Sequence, residues 1–385
     1  VISFSWPPVY GGSGTQAQRL APYLIRRGVS VTALTARHDA ALAAREEIDG
    51  VRVIRLPVAG IPRVRAAGFF VSAAAQLVRH AKIFDVIHVL GAYFRVAPIV
   101  AAARILGKPV VVKMTSLGTD DPSSSRRRRL GSVLLWALRR ADAVISVSED
   151  MSEAYRRSGL PLPKLFDIPN GVETGVFAPS TPEEKRVLRE QLGLPLDGEI
   201  VVFVGPVRYR KGIDTLVAAW PDVLSRRAKA SLVLVGPIVE DAPAGLPSVA
   251  SLLSTAKNTS IRGKCDDVER YLRAADLFAL PTRLEGSPNA LLEAMACGLA
   301  CAAGRVPGTE ALVESDRSGS LFEPGDAVGL ADTIVGLLED PVRRRDLGER
   351  ARQRIVDKYS MDSVADAYAA LYRRLLETPR SGSPD

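Results

Sequence analysis

This chain has no long apolar run. No stretch approaches the roughly 18 consecutive apolar residues of a membrane span, so no helical span is expected. Cysteine is almost absent: Cys265, Cys297 and Cys301 form neither a disulfide framework nor a metal-ligand spacing. A reducing cytoplasm is the simplest setting for such a chain. Aromatic residues make up only 6% and none interleaves with the basic runs, so nucleic-acid binding gains little support. The residues after Val1 show no charged-then-apolar leader, only a short apolar run leading to Trp6-Pro7-Pro8. The three histidines and the acidic residues form no cluster at ligand spacing, and no metal is expected.

What is present is an ordinary globular composition, 47% hydrophobic and 24% charged over 385 residues, long enough for two cores. The net charge of +8, mostly arginine, suits phosphates or anionic surfaces without naming either. Short β-branched runs (1–5, 29–35, 51–56, 84–90, 109–115, 143–147) alternate with segments of helical period such as 15–27 and 132–140. The rhythm restarts after Asn170, with strands expected at 200–204, 231–235, 258–261, 277–280 and 300–303, and helices at 213–226 and 327–338. Continuous apolar strands separated by helices imply parallel sheets covered on both faces, hence two Rossmann-like doubly wound α/β domains in tandem. Ligands of such sheets bind at the carboxyl ends of the strands, so a central cleft between facing domains is expected. The expected boundaries are 1–170, 171–358, a final helix at 359–377 and a polar tail at 378–385.

One stretch carries most of the chemistry: Glu285-Gly286-Ser287-Pro288-Asn289-Ala290-Leu291-Leu292-Glu293, closing at Gly298. Ser287 reads as an N-cap with Pro288 at the first helical position, which leaves Asn289, Ala290 and Leu291 offering N–H groups to an anion. Two carboxylates flanking such a start suit a ligand that combines hydroxyls with phosphate. A capped helix with one surface glutamate fits the same residues equally well. Lys211 and Gly212 open the next important helix, directly after the strand 200–204, where a cation suits a diphosphate and opposes the helix dipole. Gly11-Gly12-Ser13-Gly14 reads as a strand-to-helix turn before residue 15, and lacks the dinucleotide-binding spacing.

These residues resemble the family 4 glycosyltransferases, retaining enzymes of the GT-B fold. Glu285 and Glu293 match the E-x7-E signature. Tyr10-Gly11-Gly12-Ser13-Gly14-Thr15-Gln16 is similar to the family's glycine loop, and Ile168-Pro169-Asn170-Gly171-Val172-Glu173 to its entry into the second domain. Phe203-Val204-Gly205 through Lys211-Gly212 resembles the phosphate-binding element, and Tyr271 to Asp276 the Y-x-x-A-D segment. The resemblance implies a donor-binding second domain and an acceptor-binding first domain, with the C-terminal helix packing back on the first. It implies that Glu293 holds the nucleotide ribose, and that Glu285 and the loop Gly286, Ser287, Pro288, Asn289, Ala290 and Leu291 face the donor sugar and diphosphate. Gly12, Gly205, Arg210 and Lys211 fall near the diphosphate, and Lys264 and Cys265 near the nucleobase. Pro206 stands where the family has arginine, and Arg208 is the preferred substitute. Of the family's histidine pair only His88 is present, Leu90 replacing the second. Gln16, Asp120 and Asp121 are the acceptor-binding candidates.

The implied activity is transfer of a sugar from a nucleoside diphosphate, UDP first, to an acceptor hydroxyl, with no cofactor beyond that co-substrate. A nucleotide-sugar epimerase and a non-catalytic sugar-nucleotide-binding protein on the same fold are the alternatives. Arg126, Arg127, Arg128 and Arg129, followed by an amphipathic stretch, read as a solvated basic face or as a contact with anionic membrane. The expected location is the cytoplasm, with that contact at the inner membrane face as an option. The acceptor is not legible.

Overall fold

The computed structural model describes residues 1–9, 11–58, 62–115, 120, 122–125 and 130–378. The chain forms two compact units, Val1–Gly171 with Met361–Asp385, and Val172–Ser360. The divisions follow 171 and 360, where 170 and 358 were expected. Val172 and Ser360 pair in a parallel bridge, and Val172 N–H donates to Tyr359 C=O at 2.8 Å, which carries both residues into the second unit.

The first unit opens with Val1–Ser3, which the sequence reads as a full strand. It makes only bridge pairs, Ile2 with Leu34 and with Val89, yet these place it at the centre of the sheet. After it come α1 (Gly12–Ile25), β1 (Thr32–Arg37), β2 (Arg45–Ile48), β3 (Val51–Pro57) and α2 (Pro62–Arg79). The alternation continues with β4 (Ile87–Leu90), α3 (Ala97–Ile105), β5 (Val110–Lys113), α4 (Pro122–Ser125), α5 (Gly131–Arg140), β6 (Ala143–Ser146), α6 (Glu149–Arg157) and β7 (Leu165–Asp167). The strand order is β2-β3-β1, then the Ile2 bridge, then β4-β5-β6-β7, parallel except for β2. Helices α2, α3, α5 and α6 supply Phe69, Ile99, Leu138 and Tyr155 to the core on one face. A second cluster, with Leu20 and Leu24 of α1, covers the other.

The second unit contains α7 (Pro182–Leu192), β8 (Ile200–Val204), α8 (Ile213–Arg226), β9 (Ser231–Val235), α9 (Val249–Leu253), β10 (Thr259–Ile261), α10 (Val268–Ala274) and β11 (Leu277–Leu280). It ends with α11 (Asn289–Ala296), β12 (Ala300–Gly304), α12 (Pro307–Glu310), β13 (Ser320–Phe322), α13 (Ala327–Glu339) and α14 (Pro341–Lys358). Its sheet runs β10-β9-β8-β11-β12-β13, parallel throughout, and every residue of β8, β11 and β12 is buried. The order reverses between β8 and β11. That is the topological switch point where doubly wound sheets hold ligands, at the carboxyl ends of the strands.

The last helix, α15 (Met361–Glu377), belongs to the first unit. Its Met361, Val364, Tyr368 and Leu371 join the α1 cluster, and Arg27 Nε donates to Asp366 at 2.7 Å. No helix among the described residues is long and apolar enough to cross a membrane.

Candidate active site

The switch point of the second unit gathers loops from four strands. After β8 the chain passes Gly205 and Pro206, makes a single 3-10 turn over Tyr209–Lys211, and enters α8 through Gly212. Gly212 has φ +75°, and a Cβ there would lie 1.7 Å from the Pro281 carbonyl oxygen, so only glycine fits. This close approach presses the loop after β8 onto the loop after β11. Lys211 Nζ then donates to Glu285 Oε1, and Thr282 Oγ1 donates to the same oxygen at 3.1 Å. Arg283 ties the two loops together: its N–H donates to Arg210 C=O (3.2 Å), its guanidinium to Tyr209 C=O (2.8 Å) and to Asp214 (2.7 and 2.8 Å).

A third loop, after β9, brings in Asp241. It accepts from Tyr209 N–H and Arg208 Nε, both at 2.8 Å, and from Arg210 N–H at 3.4 Å. Burial raises the Asp241 carboxyl's affinity for a proton; Arg208 and the two backbone donors outweigh this and hold it below the usual range. Arg208, expected to replace the missing family arginine, is therefore already matched by a carboxylate. Arg210 is exposed, with no carboxylate partner among the described residues. Beyond β10, Lys264 is exposed and Cys265 half-buried. The N-cap position of α10 is Asp267, which makes no side-chain cap.

The start of α11 differs from expectation by one residue. Pro288 is itself the N-cap, with ψ 107°, and no side chain caps the helix. Its extended ψ turns the Pro288 carbonyl toward Leu291 N–H (3.1 Å) and Leu292 N–H (3.2 Å), which displaces Ser287 from the capping position. Leu291 is thereby removed from the anion-binding candidates, because its N–H is used and its side chain lies in the core. Glu293, one turn after Asn289, is only 7% exposed. Gly298 ends the helix at φ +72°, as expected. A half-buried lysine–glutamate pair, a short helix entered directly from that glutamate's loop, and the buried Glu293 thus share one edge of the sheet. Such a set can hold an anion and accept from hydroxyls.

Comparison with known proteins decides the family. Residues 11–171 match the model described as "Glycosyl transferase 4-like domain", and residues 198–340 that of "Glycosyl transferases group 1". The chain belongs to the family 4 glycosyltransferases. Among its relatives are α-maltose-1-phosphate synthase of Mycolicibacterium smegmatis, 28% identical and covering 96% of this chain and 97% of that one. N-acetyl-α-D-glucosaminyl L-malate synthase of Bacillus anthracis is 25% identical, over 77% of both chains. Sucrose-phosphate synthase from Thermosynechococcus elongatus superposes with a TM-score of 0.80 at 26% identity, over 97% of this chain and 98% of that one. HepE from Anabaena, solved with UDP and glucose, gives 0.77 at 19%, over the same shares, and supports the GT-B fold.

In the first unit of this glycosyltransferase, most sequence candidates serve the fold. Helix α1 begins at Gly12 rather than residue 15, with Gly11 as N-cap, so the glycine loop forms its first turn. A Cβ on Gly14 would lie 2.2 Å from Ser5 C=O, which explains that glycine by packing. Gln16 is buried and donates to Gly171 C=O at 3.0 Å, which corrects its reading as an acceptor ligand. Asp120 is also corrected: fully buried, it accepts from Ala92 N–H (3.1 Å), Thr115 N–H (2.9 Å) and Thr115 Oγ1 (2.8 Å). His88 sits in the core beneath α15, its Nδ1 sharing a hydrogen bond of 2.8 Å with Tyr372 Oη. Burial, then the Lys113 ammonium, push its pKa well below the usual histidine value, and its bond to Tyr372 gives it a place in the packing of the first unit. Asp121 and Arg126 to Arg129 lie outside the described residues. Sequence reasoning missed Asp241, Asp214, Thr282 and Arg283. Only Thr282 and Arg283 carried a signal, standing between the β11 strand and Glu285.

Proposed function

We propose that this glycosyltransferase moves a sugar from a nucleoside diphosphate, UDP first, to an acceptor hydroxyl with retention of configuration. The observation that carries this reading is the meeting of Lys211 and Glu285 at the switch point, in the loop that runs into α11. The second unit binds the donor and the first unit the acceptor. Gly205, Arg208, Arg210 and Lys211 flank the diphosphate, Gly286, Ser287, Pro288, Asn289 and Ala290 present the helix start to it, and Lys264 and Cys265 border the base. Glu293 accepts from the ribose hydroxyls. The acceptor oxygen forms its bond to the anomeric carbon on the face from which the phosphate oxygen departs. That phosphate oxygen takes the acceptor proton, so no protein nucleophile is required. Lys211 and the start of α11 stabilise the charge that grows on the diphosphate. On this reading the nucleotide sugar is a co-substrate, and no cofactor or metal is assigned.

The relatives' names support the transfer reading over an epimerase or a silent binder, and they differ in donor. One is a GDP-mannose-dependent mannosyltransferase of Corynebacterium glutamicum, so assays should compare UDP-, GDP- and ADP-sugars. Glu293→Gln is expected to weaken donor binding by about 10- to 100-fold, the cost of one charged hydrogen-bonding partner in a buried site. Calorimetric titration checks this, and unchanged affinity would remove Glu293 from the site.

Peripheral membrane contact at the inner face is proposed on charge. Residues 62–140 hold fourteen Lys and Arg against three Asp and Glu, more than the whole chain's net excess of +8. Arg139, Arg140 and the exposed Trp136 lie on α5, which follows the Arg126 to Arg129 run in the sequence. The three cysteines are all free, in keeping with a cytoplasmic setting. Co-sedimentation with phosphatidylglycerol vesicles, but not phosphatidylcholine ones, is expected, and should vanish when those four arginines become serine. Equal binding to both vesicle types would sink the contact.

A further inference from the structure

On the donor site proposed above, Lys211 meets the diphosphate, yet its ammonium is held by Glu285. Both side chains are largely enclosed, 14% and 10% exposed, and Thr282 fixes the same carboxylate oxygen from a fully buried position. A matched pair of this kind draws an anion weakly. If the ammonium shifts to a phosphate, the carboxylate left behind repels that same phosphate and loses its strongest donor. Glu285 therefore needs a replacement partner. The hydroxyls of a donor sugar can supply one, whereas a nucleoside diphosphate without its sugar has no hydroxyl at that end and carries an additional negative charge there.

We propose that the Lys211–Glu285 pair is a charge exchange that selects the intact sugar nucleotide over the bare nucleoside diphosphate. The ammonium passes to the diphosphate when sugar hydroxyls take its place on Glu285, and returns to Glu285 once the sugar has been transferred. Glu285 thus acts as a specificity-determining residue that lowers the affinity for the spent nucleotide and hastens its release. The loop geometry favours such an exchange without backbone motion. Gly212 against Pro281, and Arg283 against Tyr209 and Arg210, hold both loops in register while only two side chains move.

The test is calorimetric titration of UDP, GDP and ADP into the wild-type protein, Glu285→Gln, Lys211→Met and the double variant. The tightest-binding of the three nucleotides is expected to bind Glu285→Gln about tenfold more tightly than wild type, because the Lys211 ammonium is then free for the diphosphate. Transfer from the intact donor should fall at the same time. In the Lys211→Met background the gain should shrink to about twofold or less, because the two residues share one interaction. Glu285→Ala also removes the carboxylate and must tighten binding too, so a misfolded Gln variant leaves the idea testable. No tightening in either variant overturns the exchange, and so does an equal gain without Lys211. If the folded wild-type protein binds none of the three nucleotides, the donor-site assignment itself fails.

Discussion

Lys211→Ala is expected to lower kcat by about 100- to 1,000-fold, the range seen when one preorganised group is removed from a developing negative charge. The effect should fall on kcat far more than on the donor KM. In the resting site the ammonium is committed to Glu285, so a donor that takes it over exchanges one charged contact for another. Ground-state binding then gains little from Lys211. Charge grows on the diphosphate only as the anomeric bond breaks, and there the ammonium has no equivalent. Lys211→Arg should recover part of the loss, since a guanidinium supplies the charge with different reach. Removal of Lys211 also leaves the Glu285 carboxylate with the Thr282 hydroxyl as its remaining side-chain partner among the described residues, so thermal melting should accompany the kinetics. A kcat within twofold of wild type would show that the growing charge is stabilised elsewhere, with exposed Arg210 the next residue to replace.

The sequence shows that edge of the site because its residues are local. Lys211 sits beside Gly212, and Glu285 leads within a few residues into α11, so spacing alone sets them near strand ends. The strands themselves were legible where they are central and apolar: β8, β9 and β11 have the expected bounds. The missed ones are edge or short strands. Residues Arg45–Ile48 are charged and alternately exposed, and Leu165–Asp167 and Ser320–Phe322 have three residues each, so none has an apolar run to detect. The misread polar residues share a different cause. Gln16 lies in the first turns of α1, His88 inside β4 and Asp120 in the turn after β5, and at each of these places a ligand-facing side chain and one that satisfies buried polar groups look alike in sequence. Their partners are Gly171, Tyr372 and Ala92, of which Gly171 and Tyr372 are 155 and 284 residues away. Asp241 escaped notice for the same reason, since its work is to cap the turn Tyr209–Lys211 from another loop.

Asp276 shows how a family motif can be structural, and it yields the largest expected change in stability. It ends the segment beginning at Tyr271 and stands just before β11, at the opposite end of that strand from Glu285. Its carboxylate accepts from Arg189 Nη2 (2.6 Å), Ile200 N–H (2.7 Å) and Lys185 Nζ (3.1 Å), and Arg189 is itself only 6% exposed. Asp276→Asn keeps the shape and removes the charge, which leaves Arg189 buried without its counter-ion. The expected loss is about 3–5 kcal/mol of unfolding free energy in the second unit. Burial favours the protonated carboxyl, but Lys185, Arg189 and the Ile200 N–H prevail and hold its pKa below the usual aspartate range. The ion pair therefore stabilises the fold fully at neutral pH. That contribution fades as pH falls below the unfolded carboxyl's value of about 4 and through the lower folded value. Urea titrations of both proteins should show a wide gap at pH 7 that narrows in acid. The KM for the donor should stay unchanged at neutral pH in the folded variant, because Asp276 acts at the far end of the strand. A changed KM with unchanged stability would instead place the motif's aspartate in the donor site.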